Sequence, residues 1–156
     1  MLGDVALAED NERKFKNDFE LQYGGYLLSH LGKLSPVDFI CYKNPGHEIV
    51  SVIEFKQRTN PHDKHPTIWL NLRKASALKL LAAGFNCKAY YFVKWSDHVT
   101  KFINVHNVVR YPLVEAGTFK RFWPTDRELV YDIPISEMLD MKPKANLKIV
   151  DGDNRG

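Results

Sequence analysis

Two charged residues lie inside an otherwise apolar segment, where an extended strand would carry both on one face. Glu54 and Lys56 occur in Val52-Ile53-Glu54-Phe55-Lys56, and side chains two residues apart in a strand share a face. A carboxylate and an ammonium are costly in such surroundings unless another group pairs with them. Asp38 interrupts the preceding apolar segment in the same manner. An antiparallel hairpin would therefore gather two carboxylates and one lysine at a single position.

This set of side chains suits a metal-dependent reaction at phosphorus. Two adjacent carboxylates repel each other unless a cation lies between them, and hard oxygen ligands suit Mg²⁺, with Mn²⁺ as a substitute. A cation held by Asp38 and Glu54 could polarise a phosphodiester and lower the pKa of a bound water. Lys56 would position or deprotonate that water, or offset the charge of the transition state. The alternative interpretation is a structural ion-pair cluster on a half-exposed sheet.

Hydrophobic periodicity predicts the elements that would position these residues. Phe15, Phe19 and Tyr23 recur at helical spacing within residues 9–23, and Gly24-Gly25 ends that helix. The order of elements predicts an α/β domain with a small mixed β-sheet flanked by helices. The other predicted elements are a weak strand at 26–30, a hairpin formed by 37–42 and 49–56, a loop at 58–66, a helix at 70–83, strands at 87–95 and 99–105, a weaker strand at 130–133 and one helical turn at 136–139.

Length and composition are those of one ordinary globular domain. The chain has 156 residues, of which 44% are hydrophobic and 26% charged. We expect a domain over residues 1–141 and a polar, flexible tail over 142–156. The net charge of +3 permits a phosphate-rich partner without requiring one. Two cysteines in apolar segments indicate reduced thiols, and neither a membrane-spanning segment nor a signal-peptide pattern is evident, so we expect a soluble, intracellular (cytoplasmic) protein.

Residues 9–106 resemble a known family. Pro36-Val37-Asp38, a hairpin and then Glu54-Phe55-Lys56 are similar to the signature of the PD-(D/E)XK nuclease superfamily, apart from the inserted Val37. The flanking segments resemble those of the archaeal-type Holliday-junction resolvases in the same order, which are Asn11-Glu12-Arg13, Val37-Asp38-Phe39-Ile40, Ile53-Glu54-Phe55-Lys56, Arg73-Lys74, Ala89-Tyr90-Tyr91-Phe92-Val93-Lys94 and Phe102-Ile103-Asn104-Val105. The last third of the chain is unmatched.

The resemblance implies a single restriction-endonuclease-like domain with Mg²⁺-dependent endonuclease activity on DNA. A Holliday-junction resolvase acting on branched DNA as a homodimer is the specific form that it suggests. A restriction- or repair-type nuclease on duplex DNA is the alternative, and a nucleic-acid-binding module that keeps the fold without cleaving is a third. The family also adds a glutamate from the first helix. Glu12 fits this role because it shares a face with Phe15 and Phe19, and Glu20 is its competitor.

Basic and aromatic residues around the hairpin are candidates for contacts with nucleic acid. Trp69, beside the loop, could stack on a base, although packing is the commoner role of tryptophan. His62 and His65 in the loop have no cysteine nearby, so a zinc site is rejected. The residues expected to contact phosphates, which could also form a solvated surface, are Arg58, Lys64, Arg73, Lys74 and Lys79.

Overall fold

Two helices and nine strands make up the regular structure of the chain that the computed structural model describes, which comprises residues 2–32, 34–116 and 128–141. The predicted tail over 142–156 lies outside these residues. Helix α1 spans Leu2–Gln22 and α2 spans Leu72–Phe85. Short 3-10 turns occupy Val105–Arg110 and Ile135–Glu137. The strands are β1 Tyr26–His30, β2 Phe39–Lys43, β3 Ile49–Gln57, β4 Thr67–Asn71, β5 Lys88–Lys94, β6 Thr100–Asn104, β7 Leu113–Ala116, β8 Glu128–Pro134 and β9 Leu139–Asp140.

The strands form two sheets. The larger has the order β1-β2-β3-β5-β6-β9, with β3 and β5 parallel and every other pair antiparallel. The smaller is antiparallel, with the order β4-β8-β7. The predicted mixed sheet, hairpin and α/β class are confirmed. The second sheet was not predicted.

The larger sheet separates two hydrophobic cores of different character. One face packs against α1 through aromatic rings: Phe15 and Phe19 are buried, and Phe15 stacks on Phe55 with ring centroids 4.3 Å apart. The other face packs against α2 through smaller side chains such as Leu78 and Ala82. Because side chains alternate along β3, Phe55 lies in the first core and its neighbour Glu54 faces α2.

No helix in the described part of the chain is both long and apolar enough to cross a membrane.

The start of α2 corrects the sequence prediction. The helix was predicted from Leu70, but residues 67–71 form β4, in which Ile68 and Leu70 are buried and Trp69 is exposed. This short alternation was masked by the apolar spacing of the helix that follows it directly. Asn71 ends the strand and caps the helix, because its side-chain oxygen accepts the N–H of Arg73 at 2.7 Å. The cap fixes the direction in which the first turn of α2 leaves the small sheet.

Candidate active site

The candidate site lies at a fork where β2 and β3 separate. Their pairing ends at Phe39 and Ile53, so Asp38 stands just outside β2 while β3 continues to Gln57. The Phe55 backbone N–H donates to Asp38 Oδ2 at 2.8 Å. Beyond the fork β2 no longer pairs with β3, and the Asp38 carboxylate accepts the Phe55 N–H in place of a backbone carbonyl. This hydrogen bond holds Asp38 beside β3.

Glu54 is a buried acid on β3, with only 4% of its surface exposed. It faces α2, whose Lys74 donates from Nζ to Glu54 Oε2 at 2.6 Å. Tyr91 on β5 is its neighbour in the parallel register. The lysine is exposed towards solvent, so the ion pair connects a buried carboxylate with the protein surface.

Burial raises the pKa values of both carboxyl groups at the site despite this ion pair. Burial raises the pKa of Glu54 to about 7, and the charge of Asp38 adds to the rise, while Lys74 and Lys56 oppose it. Burial also raises the pKa of Asp38, and the charge of Glu12 acts in the same direction. Burial would lower the pKa of Lys74, but its hydrogen bond to Glu54 and the charges of Glu54, Asp38 and Glu128 together outweigh burial, so the net direction is upward. These groups would be stabilised by additional positive charge.

Glu12 reaches the site from α1, where its position is set by a histidine. His30, the last residue of β1, lies with Nε2 2.7 Å from Glu12 Oε2. The Gly32 N–H points to His30 Nδ1 at 3.3 Å, so neutral His30 would donate from Nε2 to Glu12. No sequence pattern singles out His30 apart from its place at the end of a predicted strand, because only the pairing of β1 with β2 brings it near Asp38.

Glu20, the competing glutamate, has a different set of contacts. Its Oε2 accepts the Leu28 backbone N–H at 2.9 Å, and the Lys16 ammonium lies 3.0 Å from the same oxygen. Glu20 therefore ties α1 to β1. The structure places Glu12, rather than Glu20, where its charge acts on Asp38.

The predicted basic residues are distributed unevenly around this site. Lys56 is exposed on the same strand face as Glu54, and its charge acts on that carboxylate. Lys74, expected to meet phosphates, is instead engaged with Glu54. Lys79 lies elsewhere on α2, since its charge acts on His106. The other three are Arg58, which continues β3 by donating its N–H to the Lys94 carbonyl at 2.8 Å, and the exposed Arg73 and Lys64.

The donors at the fork are of the kind that divalent metals prefer, namely hard carboxylate oxygens from Asp38, Glu54 and Glu12. Burial raises the pKa of Glu54 and of Asp38; the charge of Asp38 adds to the rise at Glu54, and the charge of Glu12 adds to the rise at Asp38. A second group of possible ligands lies apart from the fork, where His62, Asp63 and Asp97 bring ligand atoms within 4.8 Å of one another. In that group His62 Nδ1 already lies 2.6 Å from Asp97 Oδ2. The fork is the better candidate because Glu54 is buried there, whereas Asp63 and Asp97 are exposed at the surface.

Comparison with known proteins agrees with this geometry. A family model described as "Phage putative PDDEXK endonuclease" matches residues 5–141. Among solved structures, the fold is similar to that of Hjc from Archaeoglobus fulgidus, a Holliday junction resolvase from an archaeal hyperthermophile. The TM-score is 0.54 and the identity 16%, over 92% of this chain and 98% of that chain. No curated protein matches the sequence. The predicted resemblance and the predicted fold are confirmed.

The raised pKa of Glu54 predicts how the metal-free protein responds to pH. Between its ordinary pKa of 4.5 and about 7, the unfolded chain has released this proton and the folded protein has not. Wild-type stability should therefore fall relative to Glu54→Gln as pH rises from 5 to 8, by up to about 3 kcal/mol. Urea unfolding in EDTA measures the difference, with Glu48→Gln as an exposed control. If the wild type instead gains stability relative to Glu54→Gln over this pH range, the effect of Lys74 on the pKa of Glu54 exceeds that of burial.

Proposed function

The chain belongs to the phage PDDEXK endonuclease family, and from this premise we propose that it is a divalent-metal-dependent endonuclease that hydrolyses phosphodiester bonds in DNA. The observation that carries the proposal is the fork, where Asp38 is hydrogen-bonded to β3 beside the buried Glu54. Lys56 lies on the same strand face and is exposed to an incoming substrate. We assign the nuclease domain to residues 1–141.

Asp38 and Glu54 would hold the metal, and Glu12 would complete the set of carboxylates. Mg²⁺ suits these oxygens, and Mn²⁺ would substitute for it. When bound, the cation would supply Lewis-acid polarisation of the phosphodiester and stabilise the leaving oxygen. This role agrees with the raised pKa values of Asp38 and Glu54, which burial causes first and a neighbouring carboxylate increases.

The lysines and His30 would each act on a defined atom. The exposed ammonium of Lys56 would orient the attacking water and offset charge on the phosphate as it develops. Lys74 would balance part of the charge of Glu54 through its ion pair at Oε2. His30 would hold the Glu12 carboxylate in one orientation through the contact at Nε2. Arg58, Arg73 and Lys64 would contact phosphates around the site.

Branched DNA is the substrate that we propose, with the chain acting as a Holliday-junction resolvase in recombination or repair. Two features support this: the order of segments along residues 9–106, and the structural similarity to a solved junction resolvase. Paired nicks on opposed strands need two active sites, so a homodimer is proposed with it. Cleavage of plain duplex DNA would instead favour the restriction- or repair-type alternative.

We expect Asp38→Ala or Glu54→Ala to abolish cleavage while DNA binding survives. Each change removes a carboxylate that would serve the metal, whereas affinity for phosphates comes from the basic residues. The loss should be about a thousandfold or more in rate. Nicking of plasmid, linear duplex and four-way-junction DNA in Mg²⁺ measures activity, and binding in EDTA is the control. Cleavage at a near wild-type rate by either variant would reject this site. A wild type that binds DNA but cleaves none of the three substrates would favour the non-cleaving module.

We expect Glu12→Gln to slow cleavage strongly and Glu20→Gln to change it little. Glu12 acts on Asp38, whereas Glu20 accepts a backbone N–H that a glutamine carbonyl can also accept. The two variants form a matched pair on one helix. Single-turnover rates at saturating Mg²⁺ distinguish them. If Glu20→Gln is the inactive variant, Glu12 is not the helix carboxylate of the site.

We expect Arg73→Ala to weaken binding to all DNA sequences, and Lys79→Ala to have a smaller effect. Arg73 is exposed in the first turn of α2, near Lys74, whereas Lys79 lies close enough to His106 to lower the pKa of that histidine. Each lost phosphate contact should flatten the plot of log affinity against log salt by about 0.9. Titrations at several salt concentrations give the slopes. Equal slopes for the two variants would contradict this arrangement.

A further inference from the structure

A cavity of about 240 Å³ opens beside the proposed active site, between the loop that follows β3 and strand β4. Its lining combines aromatic rings with groups that can form hydrogen bonds. Pockets for drug-sized ligands hold roughly 300 to 1,000 Å³, so this cavity suits one heterocyclic ring rather than a whole nucleotide. The side chains that matter to the argument are those of Arg58, Asn60, His65, Trp69 and Trp95.

Trp69 is the unusual member of this lining, because 53% of its surface is exposed although both of its neighbours in β4 are buried. Its orientation is nevertheless fixed. The indole N–H donates to Asp132 Oδ1 at 3.0 Å, across the register pair of β4 and β8. A tryptophan whose polar atom is already satisfied and whose ring remains open to solvent is suited to stacking. Trp95 is buried and forms part of the wall instead.

The cavity is physically connected to the proposed catalytic carboxylates. The Tyr91 hydroxyl donates to the Trp69 carbonyl at 3.0 Å, and Tyr91 is the register neighbour of Glu54. Burial and the charge of Glu54 raise the pKa of Tyr91, while Arg58 opposes the rise. The positive charge of Arg58 and the negative charge of Glu54 therefore both reach the same phenol, so the cavity and the fork are adjacent.

The spacing along β3 indicates which part of a substrate would reach the cavity. Lys56 and Arg58 are two residues apart in extended backbone, about 6.6 Å at 3.3 Å per residue. A phosphate placed at Lys56 would therefore have its neighbouring nucleotide beside Arg58. The base of that nucleotide could enter the cavity, while Arg58, which lines it, would contact the sugar-phosphate chain.

We propose that this cavity binds one unpaired nucleobase next to the cleaved phosphate, by stacking on Trp69 with Arg58 contacting the adjacent phosphate. The inference rests on the proposed nuclease function and narrows its substrate. A base inside a duplex has its faces covered by its neighbours, and extruding it costs a few kcal/mol. The protein should therefore select DNA with unpaired nucleotides near the cut, as at a bulge or flap, over fully paired duplex. A four-way junction, whose arms are paired, would qualify where a base pair opens at the branch point.

Substitution of Trp69 tests the stacking directly. Two DNA duplexes of the same length would carry 2-aminopurine either unpaired in a bulge or paired, and binding would be measured in EDTA to prevent cleavage. Trp69→Ala should weaken binding of the bulged DNA roughly 5- to 150-fold and the paired duplex less than about twofold. Wild-type protein should quench the unpaired 2-aminopurine, and Trp69→Ala should not. Trp69→Phe should retain most of the affinity and quenching.

Leu129→Ala is the matched control, since Leu129 is another half-exposed apolar residue of the same small sheet but does not line the cavity. It should leave both affinities unchanged. Equal loss of affinity for bulged and paired DNA in Trp69→Ala, or unaltered quenching, would overturn the pocket while leaving the nuclease proposal intact if the wild type still cuts. A wild type that binds neither DNA would overturn both.

Discussion

A carboxylate buried in the middle of a sheet is the constraint to which the surrounding structure responds. Glu54 has 4% of its surface exposed, and an ionised acid in that position is destabilising unless positive charge or hydrogen-bond donors compensate it. Lys74 provides part of this compensation from α2. Asp38 works against it by adding a second negative charge at the fork. The arrangement agrees with the divalent cation that we propose Asp38 and Glu54 hold.

The two cores hold these charges at fixed positions. The aromatic packing of Phe15 and Phe19 fixes the rotation of α1, so that Glu12 arrives at the sheet edge where His30 can hold it. On the opposite face, the Asn71 cap begins α2 at a defined residue and sends Lys74 towards Glu54. Close packing restrains both helices, because a rotation of either would expose buried apolar surface.

The small sheet extends the site beyond the carboxylates. Trp69 on β4 is exposed to solvent, and its indole N–H donates to Asp132 on the neighbouring strand β8. Tyr91 then links the backbone of Trp69 to the strand that neighbours Glu54. A nuclease that needs accessible bases near the cut would combine a catalytic centre and a stacking surface in this manner, since the two must lie about one nucleotide apart.

Sequence alone determined the parts of this protein that depend on local periodicity. The apolar segments at 37–42 and 49–56 were enough for the hairpin, and Phe15, Phe19 and Tyr23 were enough for the buried face of α1. Asp38 and Glu54 could be placed together because a hairpin makes neighbours of residues close in sequence. Element bounds were less accurate where two apolar patterns adjoin, as at Leu70.

Only the tertiary structure decided the contacts between elements distant in the chain. Lys74 could not be assigned to Glu54, because an exposed helical lysine gives no sign of which carboxylate it will meet. The contacts of His30 with Glu12 and of Glu20 with β1 depend on how α1 packs across the strands. The second sheet also joins β4 to β8, more than fifty residues apart. Such pairings depend on how the faces of helices and sheets pack against one another, and no local sequence pattern predicts them.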